Sequence, residues 1–219
     1  MKTQLRLVLL GVCLALIAPS MSSPPPACKA DYGFSALDQA TIKALVSQGS
    51  LIVVRQRKDM SLINVTAAQV VNASQEGVWA TLIDFESYPR FMPQTAKNQI
   101  VGRQGNTLRI EQTLEVKIWQ LPAVEITCQI VNQLEPPNRI RFWHYSGSLP
   151  GTYGGWDLVP SGPKQTLIFY TLYSNLTSLG WGLGSIMKSQ PDFMAGINVT
   201  TAMMVAKAIK EESERRAKK

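Results

Sequence analysis

His144 is the only histidine in this 219-residue chain, so any scheme that needs an imidazole rests on it. It stands between Trp143 and Tyr145, and no Asp or Glu stands out in sequence to orient its ring as a general base requires. One histidine and widely separated cysteines do not make a metal-ligand cluster. Asp84 is the other candidate for acid–base work. It falls between two short helical segments, where capping of exposed backbone N–H groups is the expected role of a carboxylate. The chain has no Gly-x-Ser-x-Gly elbow and no glycine-rich phosphate loop. The residues therefore supply no evident catalytic assembly, metal site or cofactor motif.

What the sequence does offer is apolar surface at regular spacing. Residues 107–118 alternate: Leu108, Ile110, Leu114, Val116 and Ile118 fall on one face, and Arg109, Glu111, Thr113, Glu115 and Lys117 on the other. A strand with one wet and one dry face belongs to a sheet covered on a single side. Residues 124–134 continue the theme, with Val124, Ile126, Cys128 and Ile130 in phase.

Further strands are expected at 51–57, 62–72, 97–103, 139–147, 153–159 and 165–173. Turn signals such as Gln104-Gly105-Asn106 and Pro136-Pro137-Asn138 separate the later ones. Such short spacings without intervening helices predict antiparallel meander pairing. Strands 51–57 and 62–72 suit a hairpin.

Helices punctuate this sheet. Ser35 followed by Leu37, Ile42, Leu45 and Val46 predicts a short helix ending near Gly49. Ser74 opens a second, and Pro89 and Pro93 break the stretch after it into short pieces. Residues 174–190 interleave Gly180, Gly182 and Gly184 with Trp181, Leu183 and Ile186, the composition of a candidate lid. After Pro191 one long helix is expected to the C-terminus. Phe193, Ile197, Met204 and Ala208 share a face of it, with Met203 alongside.

Composition fits one globular domain plus a targeting segment: 45% of residues are hydrophobic and 17% charged. Residues 1–20 carry Lys2 and Arg6, an apolar run over 7–17, and small residues at Ala18 and Ser20. That is the layout of a secretory signal peptide, and the run is too short to span a bilayer. Cleavage would remove Lys2 and Arg6 and lower the net charge of +7 by two. The protein is accordingly expected to be exported, to a periplasm or beyond.

The basic run Lys207–Lys219 suits a solvated helix end or peripheral contact with anionic lipid. Basic residues elsewhere are scattered without aromatic interleaving, which argues against nucleic acid. Cys13 leaves with the leader. Cys128 reads as an inward-facing free thiol and Cys28, after three prolines, as exposed and unpaired. Asn64, Asn72, Asn175 and Asn198 each begin an Asn-x-Ser/Thr triplet, and if the source is bacterial, as the leader-like start suggests, these are chance matches.

The stretch Ala73-Ser74-Gln75-Glu76-Gly77-Val78-Trp79, then Asp84-Phe85-Glu86-Ser87-Tyr88-Pro89-Arg90-Phe91-Met92-Pro93, resembles the SRPBCC superfamily, the START-like helix-grip proteins. Its nearest likeness is to the polyketide cyclase/dehydrase and coenzyme Q-binding branch. Gly154-Gly155-Trp156 fits the late strands less specifically.

The resemblance implies an α+β helix-grip fold. A curved antiparallel sheet would wrap a long C-terminal helix, with two short helices after the first strand of the domain. The expected organisation is a signal peptide over 1–20, a linker over 21–36, an added helix and strand over 37–61, and the START-like domain over 62–216.

It further implies an apolar cavity between sheet and helix for a lipid, a quinone or a sterol-like molecule. Candidate wall residues are Phe85, Tyr88, Phe91, Met92, Leu108, Ile110, Leu114, Ile126, Cys128, Trp156, Trp181 and Met204. Phe85, Tyr88, Phe91 and Met92 read equally as a gate or as ordinary packing. Three functions are compatible with such a cavity: a non-catalytic carrier, a cyclase or dehydrase using a tyrosine, His144 or Asp84, and an interaction module whose cavity is filled by its own side chains. The carrier is the favoured one. No feature fixes the oligomeric state.

Overall fold

The computed structural model describes residues 39–116, 123–178 and 183–219. The leader, the proline-rich linker with Cys28, Ile118 and Trp181 lie outside the described residues.

Strands β1 (Leu51–Gln56) and β2 (Leu62–Val71) form the expected hairpin, preceded by helix α1 (Gln39–Ser47). Helix α2 (Gln75–Ile83) and a 3-10 helix (Phe85–Arg90) follow. Six strands come next: β3 (Thr95–Gln104), β4 (Thr107–Val116), β5 (Val124–Glu135), β6 (Arg139–Gly147), β7 (Tyr153–Gly162) and β8 (Gln165–Tyr173). Helices α3 (Leu183–Ser189) and α4 (Pro191–Ala217) end the chain.

The eight strands make one sheet in the order β1-β2-β8-β7-β6-β5-β4-β3, every neighbour antiparallel. β3 to β8 are therefore a meander, and β2 joins its last strand. This is the helix-grip architecture, with α4 packed across β2 and β8.

Local chemistry explains the joints. The Ser74 hydroxyl accepts a hydrogen bond from the Gly77 N–H at 3.2 Å and starts α2. Gly154 and Gly155 sit where neighbouring chain leaves no room. A Cβ at Gly154 would run into the Thr171 carbonyl and the Phe142 ring, and one at Gly155 into the Ile140 carbonyl. The Gly-Gly-Trp signature is thus a packing requirement of β7 between β6 and β8.

The core lies between the sheet's inner face and α4. Val65 and Ala67 of β2 meet Ala195, Ala202, Ala206 and Ile209 of α4 in one buried cluster, the small side chains letting the helix seat close to the sheet. The expected apolar row on this helix is not its most buried one: Ile197, Met204 and Ala208 are half-buried. Phe193 and Met203 are 52% and 42% exposed, while the buried stripe runs through Met194, Asn198, Ala202, Ala206, Ile209 and Ser213. Apolar residues surround this helix on several sides, so spacing alone did not separate the buried stripe from the neighbouring row through Phe193, Ile197, Met204 and Ala208.

α1 packs on the other face of the sheet, where Ile42 and Val46 bury Ala68, Leu167 and Phe169. β2 is consequently covered on both sides, which its near-continuous burial records.

Candidate functional site

Between the sheet and α4 lies a cavity of about 760 Å³. Its floor is the inward row of β4 and β5: Ile110, Gln112, Leu114 and Val116 from the first, Ile126, Cys128, Ile130 and Asn132 from the second. Phe142, Trp156 and Tyr170 close one wall, and Phe85, Tyr88 and Met92 another. The roof is the face of α4 carrying Phe193, Ile197, Thr200, Thr201 and Met204. The half-exposed Phe193 marks where this space meets solvent.

Nine of the expected wall residues are brought together here: Phe85, Tyr88, Met92, Ile110, Leu114, Ile126, Cys128, Trp156 and Met204. Leu108 is in phase with them but lies beyond the cavity, 1% exposed in solid core. Phe91 also stands outside the lining, with its ring 5.5 Å from Tyr88 and the Arg216 guanidinium 5.8 Å above it. Trp181 belongs to the residues not described.

Several lining residues carry no apolar signature. Gln112, Asn98, Asn132, Asn198, Thr152 and Ser174 all reach the cavity. Gln112 could have been found, because it occupies the dry phase of β4 between Ile110 and Leu114. Leu149 is a further lining residue, held at φ 61°, a backbone region costly for a branched side chain. The turn before β7 thus directs an apolar group into the wall.

His144 and Asp84 are both committed elsewhere. The His144 Nε2 lies 3.1 Å from the Gly147 carbonyl, and the ring is absent from the described lining. The Asp84 side chain makes no capping bond to the 3-10 helix, contrary to the capping role expected of it. It accepts a hydrogen bond from Arg216 Nη2 at 2.8 Å. Burial raises its pKa, but the bonds from Arg216 and Ser87 outweigh this and hold the carboxyl below its usual range.

Tyr88 donates its hydroxyl to the Leu82 carbonyl at 2.7 Å, ending the 3-10 segment against α2. Burial pushes both the Tyr88 and Tyr170 phenols far up, so they stay protonated. Burial likewise pushes the Cys128 thiol up to about 11, the state of an inert apolar side chain; it is a free cysteine.

Among the described residues of the lining, Asp192 carries the one formal charge, and it sits exposed in the first turn of α4. Among the described residues no cluster of His, Cys, Asp and Glu could hold a metal ion, and no helix is long and apolar enough to cross a membrane. A space walled this way can take up apolar surface and offer amide and hydroxyl hydrogen bonds.

Solved structures share the architecture. A STAR-related lipid transfer protein from Xanthomonas axonopodis aligns with a TM-score of 0.60 at 15% identity, over 76% of this chain and 94% of that one. The Zhui aromatase/cyclase from Streptomyces sp. R1128 aligns with a TM-score of 0.55 at 18% identity, over 70% and 94%. A START superfamily protein from Mycobacterium smegmatis gives a TM-score of 0.53 at 21% identity, over 70% and 98%. At these identities the likeness is one of fold. No curated protein matches the sequence. The profile of the polyketide cyclase/dehydrase and lipid transport family matches residues 63–216, and with the helix-grip fold around its cavity this chain belongs to that family.

Proposed function

We propose that this protein binds or carries a hydrophobic small molecule in the cavity under α4, without transforming it. The observation that carries this reading is the cavity itself, about 760 Å³ and walled mainly by Ile, Leu, Val, Met and aromatic side chains. That size suits a lipid-like or polycyclic guest. Each Å² of apolar guest surface removed from water contributes about 25 cal/mol.

Two further observations support binding over turnover. Of the groups a cyclase or dehydrase would draw on, Tyr88, His144 and Asp84 are tied to Leu82, Gly147 and Arg216, and burial keeps the phenol of the wall residue Tyr170 protonated. The inner space is also not closed by the protein's own side chains, as an interaction module with a filled core would require. The name of the Xanthomonas relative points the same way, that of the Streptomyces relative to the cyclase alternative.

The leader-like segment over 1–20 supports action outside the cytoplasm. The experiment is to purify the protein from its own compartment, sequence its N-terminus, and extract it for mass spectrometry. A chain starting near Met21 or Ser23 with a stoichiometric hydrophobe is the expected result. A chain starting at Met1 defeats the export reading, and an extract without any hydrophobe defeats the carrier reading.

A further inference from the structure

Among the buried asparagines of the described lining one has no structural partner, and the half-buried Gln112 amide and the Tyr170 phenol likewise make no side-chain hydrogen bond with a described residue. Asn132 is 7% exposed, lines the cavity, and makes no side-chain hydrogen bond with any described residue. The other buried asparagines of the lining are occupied. Asn98 donates to the Phe85 carbonyl at 2.9 Å. Asn198 accepts from the Ser174 N–H at 2.7 Å and donates to the Ser174 and Met194 carbonyls at 3.2 and 3.0 Å. Those two hold the fold together, and Asn132 does not.

Its position is fixed by the strand. Asn132 follows Ile126, Cys128 and Ile130 on the inward side of β5, opposite Phe142 of β6. Phe142 stacks on Tyr170 with centroids 6.1 Å apart, and Tyr170 meets Trp156 at 4.4 Å. A free amide therefore stands at the edge of an aromatic wall, deep in an apolar space. A buried amide without partners is disfavoured, so whatever fills this space must satisfy it. Water can do so in the empty protein, and a guest that displaces the water must replace those bonds.

We propose that Asn132 is the polar anchor of the cavity, holding the carbonyl or hydroxyl oxygen of an uncharged, ring-bearing hydrophobe that lies against Phe142, Tyr170 and Trp156. This rests on the carrier reading and adds the chemistry of its guest. The amide N–H₂ donates to a carbonyl, and the amide oxygen accepts from a hydroxyl. An ionised group is disfavoured, because the described lining has no Lys, Arg or His to neutralise an anion, and its one carboxylate, Asp192, repels one. A plain hydrocarbon is disfavoured because it leaves the amide bare.

The test compares 2-acetylanthracene, 2-ethylanthracene and anthracene-2-carboxylate by fluorescence titration of the mature protein. These guests match in shape and differ in the one group. The wild type is expected to bind the ketone roughly tenfold more tightly than the hydrocarbon, the scale of one hydrogen bond, and the carboxylate most weakly. Asn132→Leu should erase the ketone's advantage while keeping or improving hydrocarbon binding. Should the leucine variant fail to fold, Asn132→Ala reads the same difference, and the wild-type comparison needs no variant. Equal affinity for ketone and hydrocarbon, or an advantage that survives in Asn132→Leu, overturns the anchor. Failure of all three to bind the wild type overturns the carrier reading itself, a separate result.

Discussion

Arg216, near the end of α4, hydrogen-bonds Asp84 at 2.8 Å across 132 positions of sequence. Asp84 is the joint between α2 and the 3-10 helix, so this pair fastens the long helix to the segment that carries Phe85, Tyr88 and Met92 into the cavity wall. The same guanidinium hydrogen-bonds Glu212, which also takes two bonds from Arg215, all three at 2.7 Å. A small charged lattice thus closes one end of the grip.

That lattice should titrate in acid. Hydrogen bonds from Arg215 and then Arg216, against the opposing effect of burial, hold Glu212 at a pKa of about 2, below its usual 4.5. Asp84 is also lowered from 3.8. A depressed folded-state pKa contributes stability that is complete above the unfolded value and is lost as pH falls through the folded one. Thermal stability should therefore drop between about pH 4.5 and pH 2. Glu212→Gln should cost about 2 kcal/mol at neutral pH and flatten that acid limb. Melting curves of variant and wild type that fall in parallel below pH 4.5 would count against this role.

Leu108 and Leu114 look alike in sequence and separate in the structure. Leu108→Ala should cost about 2–5 kcal/mol in urea unfolding, because solid core cannot refill the space. Leu114→Ala should destabilise less and weaken the binding of an apolar guest instead, since Leu114 borders the cavity. Equal losses of stability for the two variants would argue that the space collapses on itself.

Much of the fold was legible in the sequence, and the reasons are local. Alternation exposed the inward rows of β4 and β5, and Ser74 announced α2, because strand period and capping are set by neighbours in sequence. Gln112 and Asn132 escaped notice because a search for apolar phase discards polar members of the same face. On α4, alanines proved to be the contact surface and Phe193 the exposed one. Closeness of approach, which only the partner sheet defines, outweighed hydrophobicity there. The Arg216–Asp84 pair spans most of the domain and leaves no trace in local pattern.

Gly154→Ala should prevent stable folding or cost several kcal/mol, since the added methyl meets a backbone carbonyl and an aromatic ring that cannot both retreat. Ala at Gly196, where nothing lies within 4 Å, is the matched control and should be tolerated. Circular dichroism melts of the pair would show it, and equal stability would contradict the assignment.

Cys128 is buried at 2% exposure in the cavity wall, with its pKa raised to about 11 by burial. In native protein at pH 8 a thiol reagent should modify it far more slowly than in urea, and a saturating apolar guest should slow it further. Native labelling at the rate of a free thiol would contradict its placement.

The most direct measurement is a titration of the delipidated protein with N-phenyl-1-naphthylamine, an uncharged dye that brightens in apolar surroundings. Saturable binding at one site per chain is expected, abolished by Leu114→Lys, which sets an unpaired ammonium in the cavity, and unchanged by His144→Ala. No saturable binding to the wild type, or undiminished binding to a folded Leu114→Lys variant, would contradict a ligand cavity beneath α4.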